Sequence, residues 1–459
     1  MSLKIDYEHI DNDDIIRIMS ELQFVKKSSK SYKKDIYRGP AQTQCAFDVS
    51  FQGDTKFIHL PFYYALKNYT NRISRPTRQE KGKMITKFTG KLRPNQVHVK
   101  SEAISLLNKN GSCIISLHVG AGKTITSIAI GCKIGLPVVV LTHRLVLIDQ
   151  WKESIMKVCD NPRIQVVKSD SLLDPEADFY IINAMTVCKK GEAFFDRMGT
   201  LIVDELHVMA TNKLAESFHY IHPRYMIGLS ATPYRSDGMD NLLYSYFGED
   251  KIHKKLFREH YSFRVNTGFV PEYELGRNGE LNWGSVLDSQ CNSKERNEII
   301  VNIVKYFNTR NFLILSKRVS QCKYLVTRLK EEGVDVTSLV GIKKTFDYNS
   351  RVLVTTIQKA GVGFNHPKLD SLVIASDVEE YFIQYLGRVF RTEDVVPIIF
   401  DLVDNFKTLK SHYSSRKKIY TDHGGLIMKL DYPSVSKFTE RSEDEFNDTF
   451  SSILKPGKK

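Results

Sequence analysis

The chain has 459 residues, of which 42% are hydrophobic, a composition typical of a globular protein with more than one domain. No apolar run is long enough to span a bilayer, residues 1–8 lack the apolar core of a secretory signal, and no membrane partner is expected. Seven scattered cysteines without a C-x-x-C pair, and no histidine cluster at metal-ligand spacing, argue against a disulfide framework or a zinc finger. We therefore expect an intracellular, cytoplasmic protein, and its net charge of +13 favours a polyanionic partner.

Residues 1–90 are predicted to form a small α+β accessory domain that ends in a basic arm. Residues 12–22 have the apolar spacing of a short helix, and residues 46–51 alternate as a strand does. The arm carries six cations between Lys67 and Lys91, opposed only by Glu80: Arg72, Arg75, Arg78, Lys81, Lys83 and Lys87. Two interpretations stay open, a solvated linker and an arm that contacts phosphates.

The remaining chain reads as two α/β units in tandem. Short apolar runs alternate with helical segments across residues 91–262, which is typical of a parallel sheet covered by helices. Residues 263–294 break this pattern with Gly, Pro and Asn, which indicates an interdomain connection. The alternation restarts over residues 295–430, and residues 431–459 form a polar tail. The predicted fold class is α/β, with two parallel-sheet domains preceded by the accessory domain.

Residues 112–124 read as a strand, a glycine loop and the start of a helix. Gly120 and Gly122, on either side of Ala121, let the backbone approach an anion, and the free N–H groups of the helix bind phosphate. Lys123 can reach the β- and γ-phosphates of a nucleotide, and the Thr124 hydroxyl can ligate Mg²⁺. Leu117 replaces the leading glycine of the full phosphate-loop motif, so a surface glycine turn remains the alternative.

A second apolar strand, residues 201–203, ends in paired acids. Asp204 is placed to hold Mg²⁺ through water, and Glu205 to orient and deprotonate an attacking water. Two solvated acids at a strand end are the alternative. A further strand is followed by Ser230 and Thr232, whose hydroxyls can link these acids to a neighbouring surface by hydrogen bonds.

In the second unit, Gln384, Gly387, Arg388 and Arg391 are predicted to share one face of a helix. Two arginines so placed can clamp a γ-phosphate bound to the first unit, because the planar guanidinium meets phosphate oxygens bidentately. The alternative is a salt-bridged surface helix.

These stretches, in this order, resemble the motifs of superfamily 2 helicases and translocases. The further matches are residues 92–96 to the adenine-side motif, 138–151 to motif Ia, 183–186 to the next strand-contacting motif, 204–207 to a DExH box, 230–235 to motif III, 355–363 to motif V and 384–391 to motif VI. Arg93-Pro-Asn-Gln96, Gln150-Trp151 and the opening Gln384 resemble XPB-type and phage-like DNA helicases. Size and the aromatic N-terminal region also resemble the transcript-release helicases of large cytoplasmic DNA viruses, which implies packaging in a virion as a further location. Asn365 stands where motif V usually carries an acid.

The resemblance implies two RecA-like domains that use ATP and Mg²⁺ to move 3′→5′ along DNA, single-stranded or at duplex junctions, with RNA or a transcription complex as other partners. It assigns nucleotide binding to Arg93, Gln96, Gly120, Ala121, Gly122, Lys123, Thr124 and Gln384. It assigns hydrolysis to Lys123, Asp204, Glu205, Arg388 and Arg391, with Thr124 and Asp204 as Mg²⁺ ligands. It assigns coupling to His207, Ser230 and Thr232, and nucleic-acid contacts to Thr142, Arg144, Asn183, Thr186, Thr355, Thr356 and Gly361. An RNA helicase and a binding scaffold that has lost catalysis are the alternatives.

Overall fold

A computed structural model describes most of the chain. The described ranges are 1–25, 43–73, 75–118, 120–209, 211, 216–230, 238–254, 256–343, 345–361, 366, 368–378, 382–392 and 395–431. The chain divides into two compact units, Met1–Lys254 and Lys255–Lys459. Within the described part, no helix combines the length and the apolar character needed to cross a membrane.

The first unit begins with small antiparallel sheets and two helices. Their bounds are β1 (Ser2–Asp6), α1 (Asn12–Glu21), β2 (Gln23–Val25), β3 (Thr43–Cys45), β4 (Asp48–Gln52), β5 (Thr55–Pro61) and α2 (Phe62–Asn68). Strand β5 lies between β1 and β4, and β2 pairs with β3. The predicted helix at residues 12–22 is confirmed as α1, and its N-terminus is capped because the Asp11 carboxylate accepts from the Asp14 N–H.

The next part of the unit is a seven-stranded, wholly parallel sheet with helices. The bounds are β6 (Lys87–Phe88), α3 (Pro94–Asn110), β7 (Ser112–Leu117), α4 (Lys123–Ile134), β8 (Val138–Thr142), α5 (Leu145–Val158), β9 (Cys159–Asp160), β10 (Ile164–Val167), β11 (Phe179–Asn183), α6 (Ala184–Val187), β12 (Thr200–Val203), β13 (Tyr225–Ser230), α7 (Asp240–Phe247) and β14 (Lys251–Lys254). The order across the sheet is β10, β11, β8, β12, β13, β7 and β14, while β6 and β9 form a separate pair.

Burial on both faces explains why the strands of this sheet read as continuous apolar runs. In β8, Val139 and Leu141 pack into one hydrophobic cluster, whereas Val138 and Val140 pack into another on the opposite face. Side chains alternate between the faces of a strand, so a sheet covered on both sides needs apolar residues at every position.

The basic arm is docked on the first unit rather than extended from it. Arg75 donates to the carbonyl oxygens of Leu107 and Asn108 at 3.0 and 3.3 Å, in the last turn of α3. Arg78 donates to the Ile134 carbonyl at the end of α4. Lys81 Nζ donates to the Asp196 carbonyl at 2.8 Å. Positive charge at these helix C-termini is favourable because the last carbonyls lack partners within the helix. Neither interpretation of the sequence anticipated these contacts.

The second unit is built on another seven-stranded parallel sheet. The bounds are β15 (His260–Asn266), α8 (Trp283–Asn292), α9 (Lys294–Tyr306), β16 (Phe312–Ser316), α10 (Val319–Glu331), β17 (Val336–Leu339), β18 (Val352–Thr356), α11 (Ile357–Gly361), β19 (Ser371–Ile374), α12 (Phe382–Val389), β20 (Ile398–Val403), α13 (Lys407–Asp422) and β21 (Gly425–Asp431). The order is β17, β18, β16, β19, β20, β15 and β21. The predicted fold class of two tandem parallel sheets is confirmed. Residues 263–294, predicted as a connection, contain most of β15 and all of α8.

Candidate nucleotide-binding site

The predicted site residues of the first unit gather at one edge of its sheet. Strands β7, β13, β12, β8 and β11 are neighbours in that order and run in parallel, so their carboxyl ends meet at the same edge. The glycine loop follows β7, Ser230 ends β13, and Asp204 follows β12. Thr142 ends β8 and Asn183 ends β11. The residues predicted for ATP therefore occupy one half of this edge, and those predicted for nucleic acid occupy the other half.

The glycine loop has the backbone that its sequence predicts. Gly120 and Gly122 have φ angles of +84° and +83°, in the left-handed region that favours glycine. A Cβ atom on Gly122 would lie 2.1 Å from Gln96 Nε2, so a side chain here would force the end of the Gln96 side chain to move. Helix α4 begins at Lys123, as predicted, with Thr124 half-buried in its first turn. Ala121 closes the loop by donating its N–H to the His118 carbonyl at 3.2 Å.

Gln96 connects the loop to the start of α3. Its side-chain oxygen accepts from the backbone N–H of Arg93 at 2.8 Å, and its Nε2 donates to the Gly122 carbonyl at 3.4 Å. Gln96 is buried, whereas Arg93 is exposed. The structure thus brings both predicted adenine-side residues next to the phosphate loop.

Lys123 lies under the loop and close to the two acids. Its Nζ donates to the Leu117 carbonyl at 2.9 Å. Burial lowers the pKa of Lys123, and attraction to Glu205 and Asp204 opposes that shift. A lysine held by loop carbonyls and near two carboxylates is positioned to exchange these weak partners for phosphate oxygens.

Asp204 is buried at the end of β12, and within the described part of the chain one side chain, that of Trp151, donates to it. Trp151 Nε1–H donates to Asp204 Oδ2 at 2.9 Å, and the Glu205 backbone N–H donates to Asp204 Oδ1 at 3.0 Å. Burial and the neighbouring Glu205 charge raise the pKa of Asp204 to about 6, while the Trp151 bond and Lys123 act in the opposite direction. The carboxylate therefore carries negative charge that its protein surroundings compensate only in part.

Glu205 has a strained backbone and leads to a polar chain across the sheet edge. Its φ and ψ of 49° and 55° lie in the left-handed region, which is uncommon for a residue with a side chain. Glu205 Oε2 is 3.5 Å from His207 Nδ1, and that ring nitrogen shares a hydrogen bond of 2.9 Å with Ser230 Oγ. The predicted coupling residues His207 and Ser230 are thus in contact. Thr232 lies outside the described residues.

The residues predicted to contact nucleic acid in the first unit differ in what they can offer. Arg144 is exposed just before α5, and Thr186 is half-buried in α6. Asn183 caps α6 because its Oδ1 accepts from the Met185 N–H at 3.0 Å. The Thr142 hydroxyl is buried and donates to the Ile182 carbonyl at 3.4 Å. Their contact with nucleic acid stays a prediction, and only Arg144 presents an exposed charge for it.

In the second unit, the residues predicted for nucleic acid follow β18. Thr355 is fully buried, and its hydroxyl donates to the Leu339 carbonyl at 2.7 Å. Thr356 Oγ1 accepts from the Lys359 N–H at 3.4 Å in the first turn of α11, and Gly361 is exposed at the end of that helix. Asn365 lies outside the described residues.

The predicted arginine helix ends earlier than the sequence suggested. Helix α12 spans Phe382–Val389, so Gln384 and Arg388 are on it and buried, whereas Arg391 lies two residues beyond its end. Burial lowers the pKa of Arg391. The prediction of one continuous helical face from Gln384 to Arg391 is therefore wrong. The stretch stops being helical where Phe390 enters the core.

Trp151 is a site residue to which the sequence assigned no role. It lies on α5, and it reaches Asp204 because β8 and β12, which precede α5 and the acids, are neighbouring strands. A buried tryptophan needs an acceptor for its N–H, but only the tertiary structure identifies that acceptor.

The geometry fits a nucleotide and a divalent cation. Gly122 has a left-handed backbone, and Lys123 Nζ donates to carbonyl oxygens of the loop. Asp204 is a buried acid with incompletely compensated charge. Thr124 and Asp204 offer the oxygen ligands that Mg²⁺ prefers. A phosphate loop and strand-end acids on a parallel sheet, followed by a second such sheet, fit the architecture that the resemblance to superfamily 2 helicases implies.

Comparison with known proteins identifies the family. Residues 89–235 match the family described as type III restriction enzyme, res subunit. The chain is 42% identical over 395 residues to "Putative helicase 161L" of Invertebrate iridescent virus 6, covering 80% of this chain and 89% of that protein. It is 31% identical to "Putative helicase 055L" of Frog virus 3, covering 74% and 79%. The chain belongs to this family of viral superfamily 2 helicases.

Solved structures agree on the fold. The chain is similar to S. cerevisiae Dbp5 bound to RNA and ADP BeF3, with a TM-score of 0.55 and 14% identity over 79% of this chain and 98% of that one. It is also similar, at a TM-score of 0.54 and 14% identity, to the type ISP restriction-modification enzyme LlaBIII bound to DNA, covering 80% of this chain and 33% of that one. Both likenesses support tandem RecA-like domains.

Proposed function

We propose that this protein is an ATP-dependent DNA helicase or translocase that moves 3′→5′ along one strand. The observation that carries the proposal is the meeting of Lys123, Asp204 and Glu205 at one sheet edge, beside a loop whose two glycines have left-handed backbone angles. A protein that only binds nucleic acid has no need for a buried lysine beside two acids. The reaction is hydrolysis of the β–γ phosphoanhydride of ATP.

Each residue has a chemical task in this proposal. The N–H groups at the start of α4 and the Lys123 ammonium bind the phosphates, while Thr124 and Asp204 hold Mg²⁺. When bound, Mg²⁺ neutralises charge on the phosphate oxygens. Glu205 orients the attacking water and accepts its proton. Gln96, with Arg93, recognises the base from the N-terminus of α3, and Gln384 contributes to nucleotide binding from the second unit.

We assign Arg388 and Arg391 to stabilisation of the charge that develops during hydrolysis. Support for this role comes from the match of residues 384–391 to motif VI and from the chemistry of guanidinium, which binds phosphate oxygens in a fixed planar geometry. The assignment predicts that Arg391→Ala lowers kcat with little change in nucleotide affinity. Arg391→Lys should not restore activity, because an ammonium cannot reproduce the planar fork.

Nucleic-acid contact is assigned to both units. Thr142, Arg144, Asn183 and Thr186 of the first unit would meet the backbone of the bound strand, and so would Thr355, Thr356 and Gly361 of the second. Exposure of Arg144 supports a direct phosphate contact. Because the side chains of Thr142 and Thr355 are buried, these residues would contact the strand through their backbone groups. His207, Ser230 and Thr232 would couple hydrolysis to movement.

RNA is the second candidate substrate, and the names of relatives favour it. The chain is 23% identical, over 96% of its length, to "Putative ATP-dependent RNA helicase L396" of Acanthamoeba polyphaga mimivirus. The motifs that resemble XPB-type helicases favour DNA instead. Transcript release is the role we infer, in the cytoplasm of an infected cell or in the virion, because the relatives named above are viral.

The deciding experiment compares ATP hydrolysis in the presence of single-stranded DNA and of RNA of the same sequence, with Lys123→Ala as the inactive control. We expect stimulation by DNA above that by RNA. Duplexes with a 3′ or a 5′ single-stranded tail then test the direction of movement. Stimulation by RNA alone would make the protein an RNA helicase. No hydrolysis with either strand, despite nucleic-acid binding, would establish the scaffold alternative.

A further inference from the structure

Three polar side chains from distant parts of the first unit meet away from the nucleotide site. His59 lies in β5, Glu192 just before the short helix Ala193–Phe195, and His222 in the loop that leads to β13. One potential ligand atom from each lies within 4.8 Å of the other two. The cluster is not visible in the sequence, because more than a hundred positions separate His59 from Glu192 and thirty separate Glu192 from His222.

The hydrogen bonds of the two histidines occupy one ring nitrogen of each and leave the other nitrogen available to a ligand. His222 Nδ1 is 2.7 Å from the Ser2 carbonyl oxygen, which can only accept, so Nδ1 carries the proton and Nε2 has the lone pair. His59 Nε2 is 2.7 Å from Ser50 Oγ. His59 Nδ1 and His222 Nε2 are both buried and have no hydrogen-bond partner. Buried polar atoms without partners are costly and rare, so these two indicate a ligand.

Glu192 supplies the oxygen that the two nitrogens need. Its Oε1 lies 3.6 Å from His222 Nε2, while Oε2 binds Lys4. Two ligands at about 2.1 Å from a tetrahedral zinc ion lie about 3.4 Å apart, close to this separation.

We propose that His59 Nδ1, His222 Nε2 and Glu192 Oε1 bind a zinc ion, with a fourth position left for water. The outer contacts fit this role, since Ser50 and the Ser2 carbonyl hold the non-ligating nitrogens and fix the ring orientations. The ion ties β5 of the N-terminal sheet to two loops of the parallel-sheet region. One of these loops leads to β13, the strand that ends at Ser230 in the nucleotide site. The site is structural and independent of the proposed helicase activity.

The test uses the full chain, first treated with a chelator and then titrated with Zn²⁺ in the presence of Mg²⁺. We expect one Zn²⁺ per chain, and a thermal midpoint raised by about 5–10 °C at zinc concentrations 100-fold above Kd. Co²⁺ in place of zinc should give the absorption of a site with nitrogen and oxygen ligands and no thiolate charge-transfer band. A thiolate band would assign the metal to cysteines and overturn the proposal.

Variants make the assignment specific. The zinc-dependent rise in the thermal midpoint should be abolished by each of three changes, His222→Ala, His59→Asn and Glu192→Gln. It should remain in His98→Ala, a change on the exposed face of α3. If a histidine variant fails to fold by circular dichroism, Glu192→Gln decides alone, because the amide keeps the size of this partly exposed side chain. Zinc binding that survives Glu192→Gln unchanged, or no stoichiometric binding to the wild type, would overturn the proposal.

Discussion

Two aspartates each follow a parallel strand, one in each unit, and their surroundings differ. Asp204 follows β12, and Asp404 follows β20. Both come after an apolar run that ends in Val-Asp. Asp404 is fully buried and accepts from Arg296 Nε at 2.8 and 3.0 Å, from Thr267 Oγ1 at 2.5 Å and from Gln290 Nε2 at 2.5 Å. Asp204 receives one bond from a side chain, that of Trp151.

The difference separates an acid whose charge is only partly compensated from an acid whose charge is satisfied within the protein. A buried carboxylate with an arginine and two further donors has its charge satisfied within the protein, so it holds α8, α9 and β20 together. A buried carboxylate with one neutral donor has a raised pKa and remains able to bind a cation. Changes at Asp204 and Glu205 should therefore affect ATP turnover, whereas changes at Asp404 should affect the free energy of unfolding.

The largest expected effect is that of Glu205→Gln on ATP turnover. The amide keeps the shape of the side chain but cannot accept the proton of the attacking water. We expect kcat to fall by about two to four orders of magnitude, the usual contribution of a positioned base. Nucleic-acid-stimulated hydrolysis and nucleotide binding should be measured on the same preparation. Lost nucleotide affinity at a nearly normal rate would mean that Glu205 acts as a ligand.

Asp404→Asn should lower the stability of the second unit and leave ATP turnover unchanged. It leaves the guanidinium of Arg296, whose side chain is also fully buried, without its counter-charge. The free energy of unfolding of the second unit should fall by about 3–5 kcal/mol, with normal turnover per folded molecule. Asp288→Asn is the matched control, because the Arg318–Asp288 pair is largely exposed and should contribute less than about 1 kcal/mol. Equal losses in the two variants would refute the distinction.

The raised pKa of Asp204 predicts a pH dependence of stability in the absence of Mg²⁺. Its folded-state pKa of about 6 is above the ordinary value of 3.8, so between these values the folded protein binds more protons than the unfolded chain. This group therefore stabilises the fold below pH 4 and loses that contribution as pH rises to 6, by about 3 kcal/mol in all. Denaturant titrations at pH 4.5 and pH 7 should measure the free energy of unfolding of Asp204→Asn and of the wild type. The value for the variant minus that for the wild type should be larger at pH 7. An equal difference at both pH values would contradict this.

The smallest expected effect is that of Trp151→Phe. The change removes the indole N–H that donates to Asp204, and loss of that bond raises the pKa of Asp204 further. A hydrogen bond to a charged group is worth about 1.5–3 kcal/mol. At the lower value the pKa of Asp204 rises by about one unit from about 6, so about half of the carboxyl groups are protonated at pH 7. We expect turnover at pH 7 to fall roughly twofold and the acid limb of the pH–rate profile to move to higher pH by about one unit. An unchanged profile would show that Trp151 only fills space.

Local sequence predicted the parts of the site that local structure builds. Residues 112–124 form the predicted strand, loop and helix because glycine spacing and strand-end position suffice to specify them. The acids after β12 were predicted for the same reason. The position of Arg391 beyond the end of α12 was missed, because helical spacing shows which residues could share a face but not where the helix ends.

Contacts between distant segments were decided by the tertiary structure alone. In the sequence, the arginines of the basic arm were candidates for phosphate contacts. In the structure, Arg75 and Arg78 donate to carbonyl oxygens at the C-termini of α3 and α4. The Val-Asp ends of β12 and β20 look alike in sequence, yet only packing brings Arg296 to one and Trp151 to the other. By itself, the sequence determined the two parallel sheets, the phosphate loop and the identity of the acids, because periodicity and short motifs act over a few residues. The tertiary structure decided which charges are paired and which stay available, because pairing depends on where distant segments meet.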